Sequence, residues 1–255
     1  MISIYYNKFT TIFPNAIEKA DCIIAVSEFI KEELIRLCRV PDKKIQVIYP
    51  GCSEIFKVMD IDTARTVLEA RYNIKGRFIL YAGRIHLRKN LDVLVKAFKL
   101  LLKQVNDLRL IIVGNFNTKR TEYYMSLRDL IQRLNIEEHV IFTGTIPYID
   151  MLYFYNCTEC TVNLSAYEGF PTTTVEAIAC NSQVVCPSIS SFREVLGHWA
   201  VFLDNLDINE IKNAVFEVID KKTTRDSASY IPKSNQDKSV NQLVRVYEST
   251  VYGGS

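Results

Sequence analysis

The sequence predicts an α/β protein built on a doubly wound, parallel, Rossmann-like sheet. Two observations carry this prediction: short β-branched, apolar runs alternate with longer amphipathic segments from residue 20 onward, and the runs are apolar throughout. Strands of that kind are buried on both faces, which is typical of a parallel sheet covered by helices. With 255 residues, 48% of them hydrophobic, the chain can form one large domain or two small ones.

The first predicted elements are two strands, each followed by a helix. They are a strand over residues 22–26, a helix from Ser27 to about Cys38, a strand over 45–49 and a helix near 62–72. Ser27 is a typical helix N-cap residue, and Pro41 ends the first helix.

The central part of the chain repeats a strand, a loop and a helix. Strands are predicted over residues 78–82, 108–113 and 140–143, and helices over about 91–101 and 122–134. A glycine follows each strand directly, at Gly83, Gly114 and Gly144. Asn90 is expected to cap the helix that begins after it.

The remaining elements continue the alternation. They are a helix over residues 151–155, a strand over 161–164, a helix over 173–180, strands over 183–186 and 201–203, and helices over 208–219 and 237–251. Residues 221–236 are polar and are expected to form an irregular surface segment. In a doubly wound sheet, ligands bind at the carboxyl ends of the strands.

Composition excludes several classes of protein. The formal charge is +2, from 31 basic and 29 acidic residues, so a general nucleic-acid binder is not expected. No apolar run approaches the roughly 18 residues of a membrane helix, and residues 1–13 do not resemble a secretory signal. Seven scattered cysteines, an odd number, favour a reducing compartment, so the expected location is the cytoplasm.

No metal site is predicted. Cys157 and Cys160 form a lone C-x-x-C without a second pair or a nearby histidine, and we interpret them as small buried hydrophobic residues. His86, His139 and His198 share no ligand spacing.

The loop from Gly83 to Asn90 is the first candidate for ligand binding. It contains Arg84, Arg88 and Lys89 just before a predicted helix. Glycine permits close approach of a ligand to the backbone, and Arg84 and Lys89 can each donate hydrogen bonds to phosphate oxygens. Taken alone, the loop can equally be a solvated basic turn.

The second candidate runs from Ser165 to Ala177 and contains two glutamates, Glu168 in the loop and Glu176 one turn into the following helix. Backbone N–H groups at residues 172–174 are expected to be free for a phosphate at the helix start. Glu168 can accept hydrogen bonds from ligand hydroxyls and Glu176 can bind a ribose diol. The simpler alternative is a solvated loop acid and a first-turn glutamate favoured by the helix dipole.

A third loop, residues 144–147, has a backbone that can meet a planar base. The dehydrogenase motif G-x-G-x-x-G and the Walker motif G-x-x-x-x-G-K-[ST] are both absent from the sequence.

Together these segments resemble the carboxyl-terminal, donor-binding half of the retaining GT-B glycosyltransferases of group 1, or family 4. The segments that carry the resemblance are Ala20–Phe29, Ile45–Gly51, Gly83-Arg84 with Lys89-Asn90, and Glu168-Gly169-Phe170-Pro171 through Glu176-Ala177. The last is similar to the E-x7-E signature of the family, and the similarity extends over roughly residues 15–250.

The resemblance implies transfer of a hexose from a nucleotide diphosphate sugar to an acceptor hydroxyl, with retained anomeric configuration, no cofactor and no metal. The residues that it implicates in donor binding are Gly83, Arg84, Lys89, Glu168, Gly169, Phe170, Thr172, Thr173 and Glu176. Arg84 and Lys89 would bind the diphosphate, and Glu168 would hold the sugar hydroxyls; these three are the catalytic candidates. The backbone of Gly169 and Phe170 would face the sugar, the amides of Thr172 and Thr173 the phosphate, and Glu176 the ribose.

The resemblance also suggests a division of the chain. Residues 1–40 would be a remnant of the amino-terminal domain with a linker, 41–236 the nucleotide-sugar-binding domain, and 237–255 a crossing helix with a tail. Most of an amino-terminal, acceptor-binding domain is expected to be missing. Residues 179–183, Ala-Cys-Asn-Ser-Gln, stand where the family commonly has a glycine and a proline before the strand.

Three interpretations therefore stay open. The first is a hexosyltransferase that is active when paired with an acceptor-binding chain or with a missing upstream segment. The second is a non-catalytic module that binds nucleotide sugars or serves as a partner subunit, and the third is a truncated product without function. The Arg88-Lys89-Asn90 sequence favours mannose or glucose donors. The acceptor is not identified, whether glycan, lipid or protein, and peripheral association with a membrane stays open.

Overall fold

Two compact units make up the fold. A computed structural model describes residues 14–115, 121–221 and 235–252. The smaller unit contains the described residues up to Gly51 and those from residue 235 onward, and the larger unit contains the described residues from Cys52 to residue 221.

The smaller unit contains a pair of parallel strands. Its elements are α1 (residues 14–19), β1 (Ile23–Ala25), α2 (Glu28–Cys38) and β2 (Ile45–Val47). β1 pairs with β2, which the sequence-based division assigned to the larger domain. Ser27 caps α2 as predicted, because its Oγ accepts a hydrogen bond from the N–H of Ile30 at 3.2 Å.

The larger unit is built on a parallel sheet, as predicted, and the sheet has six strands. Its strands are β3 (Phe78–Ala82), β4 (Arg109–Val113), β5 (Val140–Gly144), β6 (Cys160–Val162), β7 (Val184–Pro187) and β8 (Ala200–Leu203). They lie in the order β5-β4-β3-β6-β7-β8, and every neighbouring pair is parallel. All five residues of β3 are buried, which confirms the interpretation of an all-apolar run as a central strand.

The helices around this sheet are α3 (Ile61–Tyr72), α4 (Leu91–Leu101), α5 (Thr121–Arg133), α6 (Met151–Cys157), α7 (Thr172–Ala179), α8 (Phe192–Leu196) and α9 (Ile208–Lys221). A further helix, α10 (Gln236–Tyr252), belongs to the smaller unit. Alternate side chains of β3, Ile79 and Tyr81, share one core cluster with Leu94 and Phe98 of α4 and Val215 of α9. None of the helices in the described ranges has the length and apolar character needed to span a bilayer.

The strand order reverses between β3 and β6. From β3 the chain proceeds outward through β4 to β5 and then crosses to β6 on the other side of β3. In doubly wound sheets the crevice for a ligand lies at such a reversal, outside the carboxyl ends of the strands. The loops that follow β3 and β6 are therefore brought together.

Two of the differences from the predicted elements have a local explanation. β6 ends at Val162 and not at residue 164, because the side chain of Asn163 accepts hydrogen bonds from the N–H and hydroxyl of Ser165 and turns the chain. Helix α8 was not predicted, since five residues are too few to show a helical period. The predicted irregular segment 221–236 lies largely outside the described residues.

Candidate functional site

The loops after β3 and β6 are joined directly by hydrogen bonds. Asn90 Nδ2 donates to the carbonyl of Leu164 at 2.8 Å, and the N–H of Ala166 donates to the carbonyl of Arg88 at 2.9 Å. The two loops thus form one surface at the strand-order reversal, and it contains the cations of the first loop and Glu168 of the second.

Asn90 does not cap α4 with its side chain, so that prediction is wrong. A short 3-10 helix, Leu87–Lys89, precedes it, and Asn90 ends this turn in a left-handed conformation with φ of 51°. Asparagine tolerates that conformation better than most residues. Its amide is then directed toward β6, away from the start of α4.

Lys89 and Glu168 form an ion pair at the centre of this surface. Lys89 Nζ contacts Glu168 Oε1, and only 12% and 13% of the two side chains are exposed. Arg88 adds a second cation, since its Nη1 lies 3.5 Å from Glu168 Oε2 and also donates to the carbonyl of Tyr167. Burial lowers the pKa of Lys89 from its ordinary value, while the hydrogen bond to Glu168 acts in the opposite direction.

Arg84 lies beside this ion pair but is exposed to solvent. Within the described ranges no ion pair to Arg84 is found, and the carbonyl of Arg84 accepts a hydrogen bond from the Tyr81 hydroxyl at 2.9 Å. Its charge contributes to lowering the pKa of Lys89. Arg84 is therefore a solvent-facing cation next to the buried one.

Glycine is required where the ends of β3 and β4 meet. A Cβ atom on Gly114 would lie 1.9 Å from the carbonyl oxygen of Gly83, which leaves no room for any side chain. Gly83 itself has a φ of 147°, which side chains rarely adopt. The surface next to Arg84 is thus formed by the backbone of Gly83 and Gly114.

Glu176 occupies a different environment from Glu168. It is 3% exposed, its Oε1 accepts a hydrogen bond from the Tyr148 hydroxyl at 2.7 Å, and its Oε2 accepts one from the Tyr155 hydroxyl at 3.1 Å. Burial raises the pKa of Glu176, although the two hydroxyl donors lower it. Tyr148 is 56% exposed, so its phenol ring is the part of this cluster that faces solvent.

A buried carboxylate holds the turn that carries Tyr148. Asp150 is 2% exposed and accepts hydrogen bonds from Arg71 at 2.7 Å and from the Tyr72 hydroxyl, both on α3. Burial and the bond to Asp150 raise the pKa of Tyr72 to about 12. Phe56 packs edge-on against Tyr148, with ring centroids 5.1 Å apart.

The start of α7 is less open to an anion than expected. The N–H of Thr172 donates to the carbonyl of Phe170, and that of Thr174 donates to the carbonyl of Pro171, both at 3.0 Å. The expectation of free N–H groups at residues 172–174 is therefore wrong for these two, because the tight turn at Phe170 and Pro171 supplies acceptors. For the Thr173 N–H, no partner is found in the part of the chain that the structure describes.

Two features of the site were missed by reasoning from the sequence. Tyr148 covers Glu176, and Arg88 pairs with Glu168, but neither was assigned a role. Arg88 had a local signal, because it lies in the basic loop. Tyr148 had none, since its partner is 28 residues away in the sequence.

The described residues contain no group of three or more histidine, cysteine, aspartate or glutamate side chains that could hold a metal ion. Cys157 and Cys160 are both free thiols, and Cys160 is buried. Burial raises the pKa of Cys157 to about 11.

Known protein families and solved structures match nearly the whole chain. The model of the family "Glycosyl transferases group 1" matches residues 66–234, and that of "Glycosyltransferase Family 4" matches residues 2–54. O-antigen chain mannosyltransferase B of Escherichia coli is 26% identical over 215 residues, which are 84% of this chain and 55% of the relative. The N-acetylgalactosamine-N,N'-diacetylbacillosaminyl-diphospho-undecaprenol 4-alpha-N-acetylgalactosaminyltransferase of Campylobacter jejuni is 31% identical over 182 residues, 70% of this chain and 45% of that protein.

Among solved structures, Anabaena Alr3699/HepE in complex with UDP and glucose superposes with a TM-score of 0.80 at 20% identity, over 92% of this chain and 64% of that one. This likeness supports the fold, a parallel sheet that corresponds to part of a GT-B glycosyltransferase. The chain spans about half the length of the two curated relatives described above.

Proposed function

Because the chain belongs to the family of group 1 glycosyl transferases, we propose that it transfers a hexose from a nucleotide diphosphate sugar to an acceptor hydroxyl and retains the anomeric configuration. In this proposal the chain supplies the donor-binding half of the enzyme, without a cofactor or metal, and acts alone or with an acceptor-binding chain. A cytoplasmic location, with or without peripheral membrane association, belongs to the same proposal.

The observation that carries the proposal is the ion pair of Lys89 and Glu168 at the strand-order reversal. As the bond between sugar and diphosphate breaks, negative charge collects on the departing diphosphate. A cation already placed there stabilises that charge without reorganising. In the unliganded protein, Glu168 balances the charge of Lys89, which would otherwise be costly to bury.

The roles of the other residues follow from this arrangement. Arg84 is the exposed cation beside Lys89 and is proposed to contact the diphosphate from the solvent side. Glu168 would accept hydrogen bonds from the sugar hydroxyls, with the backbone of Gly169 and Phe170 alongside. Of the two threonine amides, that of Thr173 is the better candidate for a phosphate oxygen, because the Thr172 N–H already donates to Phe170.

Glu176 is proposed to bind the ribose, but it is covered in the unliganded protein. Both of its oxygens accept hydrogen bonds from tyrosine hydroxyls. Each oxygen keeps a second lone pair, so a diol can join once the exposed ring of Tyr148 moves aside. This requirement makes Tyr148 part of the proposed nucleoside site.

The donor sugar is proposed to be mannose, or else glucose. The loop sequence at residues 88–90 favours these two, and the similarity to a protein named as a mannosyltransferase favours the first. The acceptor is proposed only as a hydroxyl on a glycan, lipid or protein.

Calorimetric titration of the purified chain with GDP-, UDP- and ADP-hexoses tests the proposal. We expect saturable binding to one of them, weakened about ten- to a hundredfold by Lys89→Ala, since a charge-assisted hydrogen bond contributes about 1.5–3 kcal/mol. Lys96→Ala is the matched control, because Lys96 is a cation on α4 that pairs with Asp92. Its affinity for the donor should equal that of the parent.

The outcomes separate the two functions left open by the sequence. Binding of none of the donors would overturn donor binding. Binding without transfer, when candidate acceptors and acceptor-binding chains are supplied, would favour the nucleotide-sugar-binding module. The anomeric configuration of a product, determined by proton NMR, tests retention.

A further inference from the structure

Glu168 is also contacted by the loop that follows β7, the strand next to β6 on the side away from β3. The loop between β7 and α8 contributes two serines to the backbone of Glu168. Ser191 Oγ donates to the carbonyl of Glu168 at 2.8 Å, and Ser190 Oγ accepts from its N–H at 3.3 Å. Both backbone polar groups of Glu168, its N–H and its carbonyl, are thus hydrogen-bonded to serine hydroxyls.

Ser191 does not behave as its position in the chain predicts. It stands at the N-cap of α8, where a serine side chain usually bonds the helix backbone, but it makes no such bond. It is fully buried, and its hydroxyl is directed to Glu168. The local need for a helix cap therefore does not explain its side chain.

Ser190 occupies a backbone conformation that favours glycine. Its φ is 49°, in the left-handed region, where a residue with a Cβ atom is strained. A glycine would relieve the strain but could not accept a hydrogen bond from Glu168. The backbone conformation at residue 190 favours glycine, but the serine side chain found there accepts a hydrogen bond from Glu168, 22 residues away.

The carboxylate of Glu168 is held by other residues, Lys89 and Arg88. Its backbone is held by the serines and its side chain by the cations, so the orientation of the side chain is set from both ends. We infer that Ser190 and Ser191 are positioning residues, which hold the Glu168 peptide so that its carboxylate faces the donor sugar. The inference rests on the proposed role of Glu168 in donor binding.

Ser190→Gly is the decisive variant, because the inference predicts weaker donor binding without a loss of stability. The midpoint of urea denaturation should stay the same or rise, since backbone strain is relieved. The dissociation constant for the donor hexose nucleotide should increase about three- to tenfold, in line with the loss of one hydrogen bond. A serine with a purely structural role would not weaken binding without weakening the fold.

Asn135→Gly is the matched control. Asn135 has a φ of 51° just after α5, so the exchange changes the same kind of backbone position outside the loops of the site. Its donor affinity should equal that of the parent. Ser191→Ala is the second variant, and it should weaken donor binding about tenfold while retaining the fold by circular dichroism.

Hydrogen exchange of the Glu168 amide, followed by NMR without any ligand, separates this inference from the proposed function. Exchange should be at least about tenfold faster in Ser190→Gly than in the parent. Unchanged exchange, or unchanged donor affinity in both serine variants of a chain that binds donor, overturns the inference. If the parent binds no donor, the donor role of Glu168 and its positioning by the serines are both overturned, and faster exchange would then show only that the contact with Ser190 exists.

Discussion

Glu168 and Glu176 belong to one motif, but the structure places them in opposite environments. Glu168 lies against two cations, and 13% of its side chain is exposed. Glu176 is 3% exposed and accepts hydrogen bonds from two neutral hydroxyls, those of Tyr148 and Tyr155. The charge of the first is balanced by neighbours, whereas burial raises the pKa of the second.

The same residue type therefore contributes to two different properties of the protein. Glu168 forms ion pairs with Lys89 and Arg88, and these cations can bind an anionic ligand in its place. The main contribution of Glu168 is therefore expected in donor binding. Glu176 joins three elements through fully or partly buried hydrogen bonds: α7, α6 and the turn after β5. Its contribution to stability is therefore expected to be larger.

The largest effect should come from removing the buried glutamate. Glu176→Ala deprives the buried Tyr155 hydroxyl of its acceptor and leaves a cavity, so the free energy of unfolding should fall by about 3 kcal/mol. Urea denaturation measures this change. Glu217→Ala, an exposed glutamate on α9, should change stability by less than about 0.5 kcal/mol. A loss below about 1 kcal/mol for Glu176→Ala would contradict the comparison.

Removing the other glutamate should affect binding more than folding. Glu168→Ala is expected to weaken donor binding about ten- to a hundredfold in calorimetry, because it removes a charged acceptor of the sugar hydroxyls. Glu159→Ala is the control, since Glu159 forms a comparable ion pair with Arg77 at 2.8 Å beside the start of β3. Donor affinity at the parent level in Glu168→Ala would remove its proposed role.

The dependence of stability on pH should distinguish Glu176 from a solvated glutamate. Because its pKa is raised above the ordinary 4.5, the folded state keeps this proton at pH values where the unfolded chain has lost it. The stabilising contribution is complete below pH 4.5 and is lost as pH rises through the folded pKa. Each pKa unit between the folded and the unfolded state corresponds to about 1.4 kcal/mol in the free energy of unfolding.

Urea denaturation of the parent and of Glu176→Gln between pH 4 and 8 checks this expectation. The stability of the parent relative to the variant should decrease as pH rises, with Glu217→Gln as the control for loss of one carboxylate. A difference that increases with pH would mean that the two hydroxyl donors outweigh burial.

The smallest effect is expected from the exposed partner of Glu176. Tyr148→Phe removes one hydrogen bond but retains the ring on Phe56, so stability should fall by about 1 kcal/mol. The pKa of Glu176, followed by carbon NMR of labelled glutamate, should rise further because a donor that lowers it is lost. A lowered pKa in this variant would show that solvent entry outweighs the lost bond.

Local patterns in the sequence determined most of the elements and the position of the candidate loops. The run Phe78–Ala82 is a central strand with the predicted ends, and Ser27 caps its helix, because burial on both faces and capping are both visible within a few residues. The loop with Lys89 and the segment with Glu168 and Glu176 were also identified locally, along with the family. Their roles in donor binding stay predictions.

The tertiary structure alone decided which side chains meet. Asn90 was expected to cap α4 but bonds Leu164, and Tyr148 covers Glu176, because these contacts join residues 74 and 28 positions apart. Ser190 and Ser191 reach Glu168 for the same reason. The contacts of Asn90 and of the two serines depend on the order of the strands, with β6 between β3 and β7. Periodicity and capping act over one or two turns of chain and carry no information about that order, so only the assembled sheet places these groups together.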